Sequence, residues 1–131
     1  MDRNEVRDRA MNEVEKYEIK RTGNVPEDTH RKKCGYDFCS EDRKIEVKGR
    51  TGTDNFIQLN DENINAMEKN SDFWLYIVHF DKAEKADKLI ILERNRLTKE
   101  IDPLIKRRRI HPRRQIEVKF WAEDHNELNK K

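Results

Sequence analysis

No stretch of this 131-residue chain stays apolar for the ~20 residues that a membrane-crossing helix needs. The opening Met1-Asp2-Arg3-Asn4-Glu5 also lacks the apolar core of a secretory signal. The expectation is a cytoplasmic protein with no membrane partner, or one at the nucleoid if DNA is its substrate. Cysteine is equally scarce. Cys34 and Cys39 are the only two, too few for a disulfide framework. On one strand, their odd separation would point them to opposite faces. Adding His30 gives His-x3-Cys-x4-Cys with no evident fourth ligand, which is not a zinc spacing. Two reduced cysteines filling small apolar sites is the expectation. None of the four histidines lies beside a serine or cysteine arranged for nucleophilic catalysis, so serine- and cysteine-hydrolase readings have no support. There is no internal repeat and no low-complexity tract. The net charge of +2 is too small to mark a nucleic-acid partner by itself, so the placement of the charges carries the information.

Charge is what the chain does have. Charged residues make up 43% and hydrophobic residues 34%, which predicts a single domain over residues 1–131 with a modest core and a highly charged surface. The apolar residues are gathered into runs, unlike those of a disordered chain. Val6, Ala10, Val14 and Tyr17 recur at helical spacing and predict an amphipathic helix from Asn4 to about Thr22, stopped by Gly23. Asn24 to Lys33 reads as a loop. Cys34 to Cys39 and Lys44 to Gly49 read as strands joined by a short hairpin connection, and Phe56 to Leu59 as a third. Asn60 or Asp61 caps a second helix that ends near Asn70. Phe73 to Phe80, the most apolar run, reads as a central strand buried on both faces. Lys88 to Glu93 is its hairpin partner. Asn95 to Arg114 is a basic connector, and Gln115 to Trp121 a closing strand. The whole predicts an α/β fold with a mixed β-sheet flanked by helices.

Within this frame, Gly35-Tyr36-Asp37 is followed on the next strand by Ile45-Glu46-Val47-Lys48. Alternation puts Glu46 and Lys48 on one face and Ile45 and Val47 on the other, while the hairpin brings Asp37 alongside. Two carboxylates and an ammonium on a rigid support are the parts of a phosphodiester-cleaving site. Carboxylate oxygens suit a hard divalent cation, the cation polarises phosphate and acidifies water, and a lysine offsets growing negative charge. Glu-x-Lys on a strand is also a common surface salt pair of little energetic weight. Ile116-Glu117-Val118-Lys119 repeats the tetrapeptide, but no aspartate strand precedes that copy. The first copy is therefore the candidate site and the second an ordinary terminal strand.

Tyr17-Glu18, Gly23, Pro26-Glu27-Asp28, Gly35-Tyr36-Asp37, Ser40, Ile45 to Arg50 and Phe73 to Val78 occur in that order. This pattern resembles the No Vein C-terminal domain family, often appended to helicases and placed within the PD-(D/E)XK nuclease superfamily. The resemblance covers most of the chain. It implies a restriction-endonuclease-like core and a Mg2+-dependent endodeoxyribonuclease, with Mn2+ as an alternative cofactor. Asp37 and Glu46 would be metal ligands, and Lys48 the catalytic lysine. It also implies a first-helix glutamate in the site, Glu18 first and Glu13 second, although either is also an ordinary solvated helix residue. Homodimers are common in the superfamily. No helicase domain is present in this chain, so the expectation is that it either acts alone or joins a helicase partner in trans. Relatives carry an Asn-Glu-Trp-like start to the second helix, where this chain reads Asp61-Glu62-Asn63-Ile64. The alternative function is a non-catalytic nucleic-acid-binding or protein-interaction module that retains the fold.

Arg50 continues the face of Glu46 and Lys48 and is placed to hold a flanking phosphate. Gln58, two residues from Phe56, either faces the site or is an exposed strand residue. Lys106 with Arg107, Arg108 and Arg109 is the densest basic segment. It reads either as a phosphate-tracking strip or as a solvated loop. Phe73, Trp74, Tyr76 and Phe80 could stack on bases, but in so apolar a strand they are expected in the core.

Overall fold

The run Phe73–Phe80 organises the molecule. The computed structural model describes residues 1–53, 56–99 and 116–119. Phe73–Phe80 forms an interior strand of a five-stranded mixed sheet. Strands β1 (Glu27–Asp28), β2 (Phe38–Ser40), β3 (Arg43–Arg50), β5 (Phe73–Phe80) and β6 (Ala86–Glu93) follow in that spatial order. Strand β3 runs parallel to β5, with Glu46 opposite Leu75 and Lys48 opposite Ile77. The other neighbours are antiparallel.

Helix α1 (Arg3–Thr22) covers one face of the sheet and helix α2 (Asp61–Lys69) the other. Alternate residues of β5 feed both layers. Tyr76, Val78 and Phe80 join Ala10 and Val14 of α1, together with Ile45 and Val47 of β3. Phe73, Leu75 and Ile77 join Ile64, Ala66 and Met67 of α2. A parallel β3–β5 pair needs a crossover connection, and here it carries β4 (Phe56–Leu59) and α2. Helix 94–99 follows β6 and buries Leu97 in the α2-side core.

The α/β architecture, both long helices and the β5–β6 hairpin agree with the sequence expectation. Three details differ. The region predicted as a loop holds β1 and a single 3-10 turn, His30–Lys32. The strand predicted from Cys34 begins only at Phe38, because Lys33 (φ 53°) and Gly35 (φ 89°) turn the backbone out of the extended region. Strand β4 leaves the main sheet and pairs with β7 (Ile116–Lys119) in a separate two-stranded sheet, with Gln58 opposite Glu117.

Candidate active site

Strand β2 is short, and its shortness creates the site. It pairs with β3 only through Phe38–Ile45, Cys39–Lys44 and Ser40–Arg43. One residue earlier, the Asp37 amide donates to the Ile45 carbonyl at 2.7 Å. The Asp37 carboxylate then accepts the Val47 amide at 2.8 Å, where another backbone partner would otherwise stand. The side chain thus closes the ladder in place of a strand residue. Past this point β3 has no strand on that side among the described residues, and a cleft of about 630 Å3 opens there. Asp37, Glu46, Lys48 and Arg50 line it from the sheet. Arg3 and Arg7 line it from the first turns of α1.

Glu46 is 6% exposed. Lys48 Nζ stands 3.1 Å from its Oε2. Burial pushes the Glu46 carboxyl well above the ordinary glutamate range, and the neighbouring Asp37 charge pushes the same way. The Lys48 ammonium opposes both without cancelling them. The two carboxylates are like charges in a poorly hydrated place, with one cation beside them. Among the described residues, no group of three or more His, Cys, Asp or Glu is arranged to hold a metal ion. The donor set here is a carboxylate pair.

Asp37 is held from behind. Gly35 packs so tightly on α2 that a Cβ there would fall 2.2 Å from the Glu62 carbonyl and 2.8 Å from the Ala66 Cβ. The buried Asn63 side chain donates to the Gly35 carbonyl at 2.9 Å. The same Asn63 forms a reciprocal cap with Asn60 at the start of α2. The glycine-tyrosine-aspartate segment is therefore docked on a helix end whose geometry is itself fixed. On the other side, Val6 and Ala10 of α1 pack directly over Gly49, where a Cβ would meet Val6 at 2.7 Å. His79 stands between the Asp87 carboxylate at 2.5 Å and the Gly52 carbonyl at 2.6 Å, tying down the loop after Thr51.

The structure thus brings Asp37, Glu46, Lys48 and Arg50 together. It does not bring Glu18 to them. Glu18 is fully buried under α1, on the face of the sheet opposite Glu46. There it accepts from Arg21 at 2.9 Å and from the Tyr76 hydroxyl at 2.8 Å. Arg43 donates to the same hydroxyl at 2.6 Å while lying 3.8 Å from the centre of the Trp74 ring. Arg21 is raised above the ordinary arginine value, chiefly by its hydrogen bond to Glu18. Glu13 pairs with Lys16 on the surface of α1. Gln58 is exposed, on the side of β4 away from Ile57 and Leu59, and does not line the cleft. Arg107, Arg108 and Arg109 lie outside the described residues. Both cysteines are free, and the Cys34 thiol faces the carbonyls of Thr29 and Tyr36. Sequence reasoning missed Arg3, Arg7 and Asn63. For the arginines the available signal was their i, i+4 spacing on one face of α1.

The fold and this cleft define an α/β domain that carries a buried carboxylate pair with an adjoining lysine at an open sheet edge. Residues 6–92 match the family model described as "Protein NO VEIN, C-terminal", and the chain belongs to that family. The match runs from within α1 to within β6 and includes Asp37, Glu46 and Lys48. No curated protein and no solved structure gives a significant match. Among the described residues, no helix is long and apolar enough to cross a membrane.

Proposed function

We propose that the chain is a metal-dependent nuclease of the PD-(D/E)XK type, hydrolysing phosphodiester bonds in DNA. The observation that carries this reading is the convergence of Asp37, Glu46 and Lys48 on one cleft at the open edge of β3. A helix, an antiparallel strand pair, a second helix and a parallel strand, in that order, support a restriction-endonuclease-like core.

The donor set suits magnesium, or manganese in its place. Both carboxyl groups offer hard oxygens, and a divalent ion between them would relieve the repulsion that raises Glu46. Asp37 and Glu46 would hold it, and when bound it supplies Lewis-acid polarisation of phosphate and a more acidic water. The chain's own residues do the rest. The Val47 amide fixes the Asp37 carboxylate. Glu46 holds the Lys48 ammonium at the cleft wall, where it orients the attacking water and meets negative charge growing on the phosphate oxygens. The partial burial of these groups strengthens each interaction relative to open water. The family resemblance adds a homodimer, or a helicase acting in trans, as partners of this activity.

The test is nicking of plasmid or branched DNA by the purified protein in Mg2+ or Mn2+. Asp37→Asn and Lys48→Ala should each lower the rate by about 10²–10³ with the circular dichroism spectrum intact. Activity surviving both changes removes the assignment. A second reading, a non-catalytic nucleic-acid or protein-interaction module, is favoured by the carboxylate pair's lack of a third ligating side chain among the described residues. It predicts salt-dependent DNA binding with no cleavage in any divalent metal.

A further inference from the structure

We propose that the cleft takes a single, unpaired nucleic-acid strand, and that Arg3 and Arg7 of α1 form its phosphate-binding wall. This rests on the nucleic-acid reading above and goes beyond it by naming the strand form and the residues that hold it.

Arg3 and Arg7 are one helical turn apart, a rise of about 6 Å on one face of α1. That is close to the spacing of consecutive phosphates along a strand. Both are exposed, and both line the cleft that Asp37, Glu46 and Lys48 line from the opposite side. The α1 wall is fixed at packing distance from β3 by the contact of Val6 and Ala10 with Gly49. The acidic residues nearest these arginines in sequence, Asp2, Glu5 and Asp8, do not line the cleft. Asp2 accepts the Glu5 amide as the helix cap. Asp8 meets Arg7 at 3.4 Å, with both side chains more than half exposed, a pair of little energetic weight that a phosphate can replace. Counting Lys48 and Arg50, the cleft presents four cations and two carboxyl groups. A cavity of this composition is built for a polyanion and not for a neutral ligand.

The size of the cleft and the burial of Glu46 choose the strand form. A volume of about 630 Å3 falls in the range that encloses one small-molecule-sized ligand, here one or two nucleotides and not a base-paired duplex. Glu46 lines the cleft at only 6% exposure, so a phosphate must enter the cleft to reach it. A duplex resting across the rim would hold its phosphates away from that carboxylate.

Fluorescence anisotropy with a labelled oligothymidylate and a duplex of equal length, in metal-free buffer so that cleavage plays no part, tests this. The single strand should bind more tightly. The double variant Arg3→Ala/Arg7→Ala should lower the slope of log affinity against log salt by about 1.4, the loss of two phosphate contacts on a single strand. Lys16→Ala/Lys20→Ala, exposed on the same helix and outside the cleft, should leave the slope unchanged. Wild-type affinity and slope in the double arginine variant would overturn the proposal, and so would tighter binding of the duplex. Arginine-dependent binding without cleavage in any divalent metal would sink the nuclease reading and leave this groove standing. Cleavage with arginine-independent binding would sink the groove alone.

Discussion

One methyl group added at residue 35 should damage this protein more than the same group at residue 23, and the structure says by how much. Both glycines have positive φ, 89° at Gly35 and 80° at Gly23. An alanine in that conformation costs roughly 1–2 kcal/mol at either position. The surroundings differ. Gly23 ends α1 with nothing within 4 Å of where a Cβ would stand, whereas at Gly35 the Cβ would lie 2.2 Å from the Glu62 carbonyl oxygen. Helix α2 must retreat, at an overpacking cost of about 1–3 kcal/mol. Gly35→Ala should therefore lose roughly 2–5 kcal/mol, and Gly23→Ala roughly 1–2. A domain of this length has a total stability of roughly 7–20 kcal/mol. At about 4 °C per kcal/mol, Gly35→Ala should lower Tm by roughly 8–20 °C. Thermal melts of both variants, followed by circular dichroism, measure the difference. Because Asp37 is two residues away, nuclease activity in Gly35→Ala should also fall at temperatures where the fold is intact. Equal Tm losses in the two variants would refute the claim that this turn is docked on α2.

Three other outcomes follow from the same geometry. The raised folded pKa of Glu46 means that its contribution to stability is full below the ordinary glutamate value and is lost as pH rises through the raised one. Metal-free Glu46→Gln should therefore gain in Tm over the wild type as pH goes from acid to neutral. Scanning calorimetry across that range would refute this if the difference were flat or reversed. Glu18→Gln removes the charge that Arg21 and the Tyr76 hydroxyl converge on. It should cost about 2 kcal/mol in a urea titration, discounted because Arg21 can rehydrate. The cleavage rate per folded molecule should hardly change, and a rate loss as large as that of Asp37→Asn would return Glu18 to the site. Magnesium at a hundred times its dissociation constant should stabilise the wild type by about 2.7 kcal/mol and Asp37→Asn by far less, read as Tm against metal concentration. Equal shifts would place the ion elsewhere.

The elements were legible in the sequence where one period ruled. The α1 stripe, the start of α2 at Asn60 or Asp61 and the apolar β5 run each follow from local spacing, and the structure makes Asn60 the cap. Glu18 shows how the same periodicity can mislead once a charge enters it. Val6, Ala10, Val14 and Glu18 are successive i, i+4 positions, so the glutamate continues the inward stripe and is buried with it. A reading by residue type sees a helix glutamate available for a metal site. A reading by register sees a core position needing partners, which Arg21 and Tyr76 supply. What lay beyond local spacing were contacts made by one residue with distant ones. Asn63 donates to Gly35 across 28 residues of chain, and α1 brings Arg3 and Arg7 beside a strand that begins 36 residues after Arg7.

The repeated tetrapeptide shows how two identical motifs take different surroundings from the sheets they join. Ile45-Glu46-Val47-Lys48 and Ile116-Glu117-Val118-Lys119 are identical in sequence, and both are strands. The first lies between β2 and β5, and only its early residues pair with β2. The second pairs along its whole length with β4, Ile116 to Leu59 through Lys119 to Phe56. The carboxylate and lysine of the first copy line a cleft because the next strand stops there and a second carboxylate replaces it. Asp37 does both at the first copy: its amide makes the last backbone bond to β3, and its side chain takes the Val47 amide that follows. The aspartate that chose between the two copies in the sequence is thus the residue that ends the ladder and opens the cleft. Extending β2 by even one residue pair would place strand backbone along the edge of β3 where the cleft now opens.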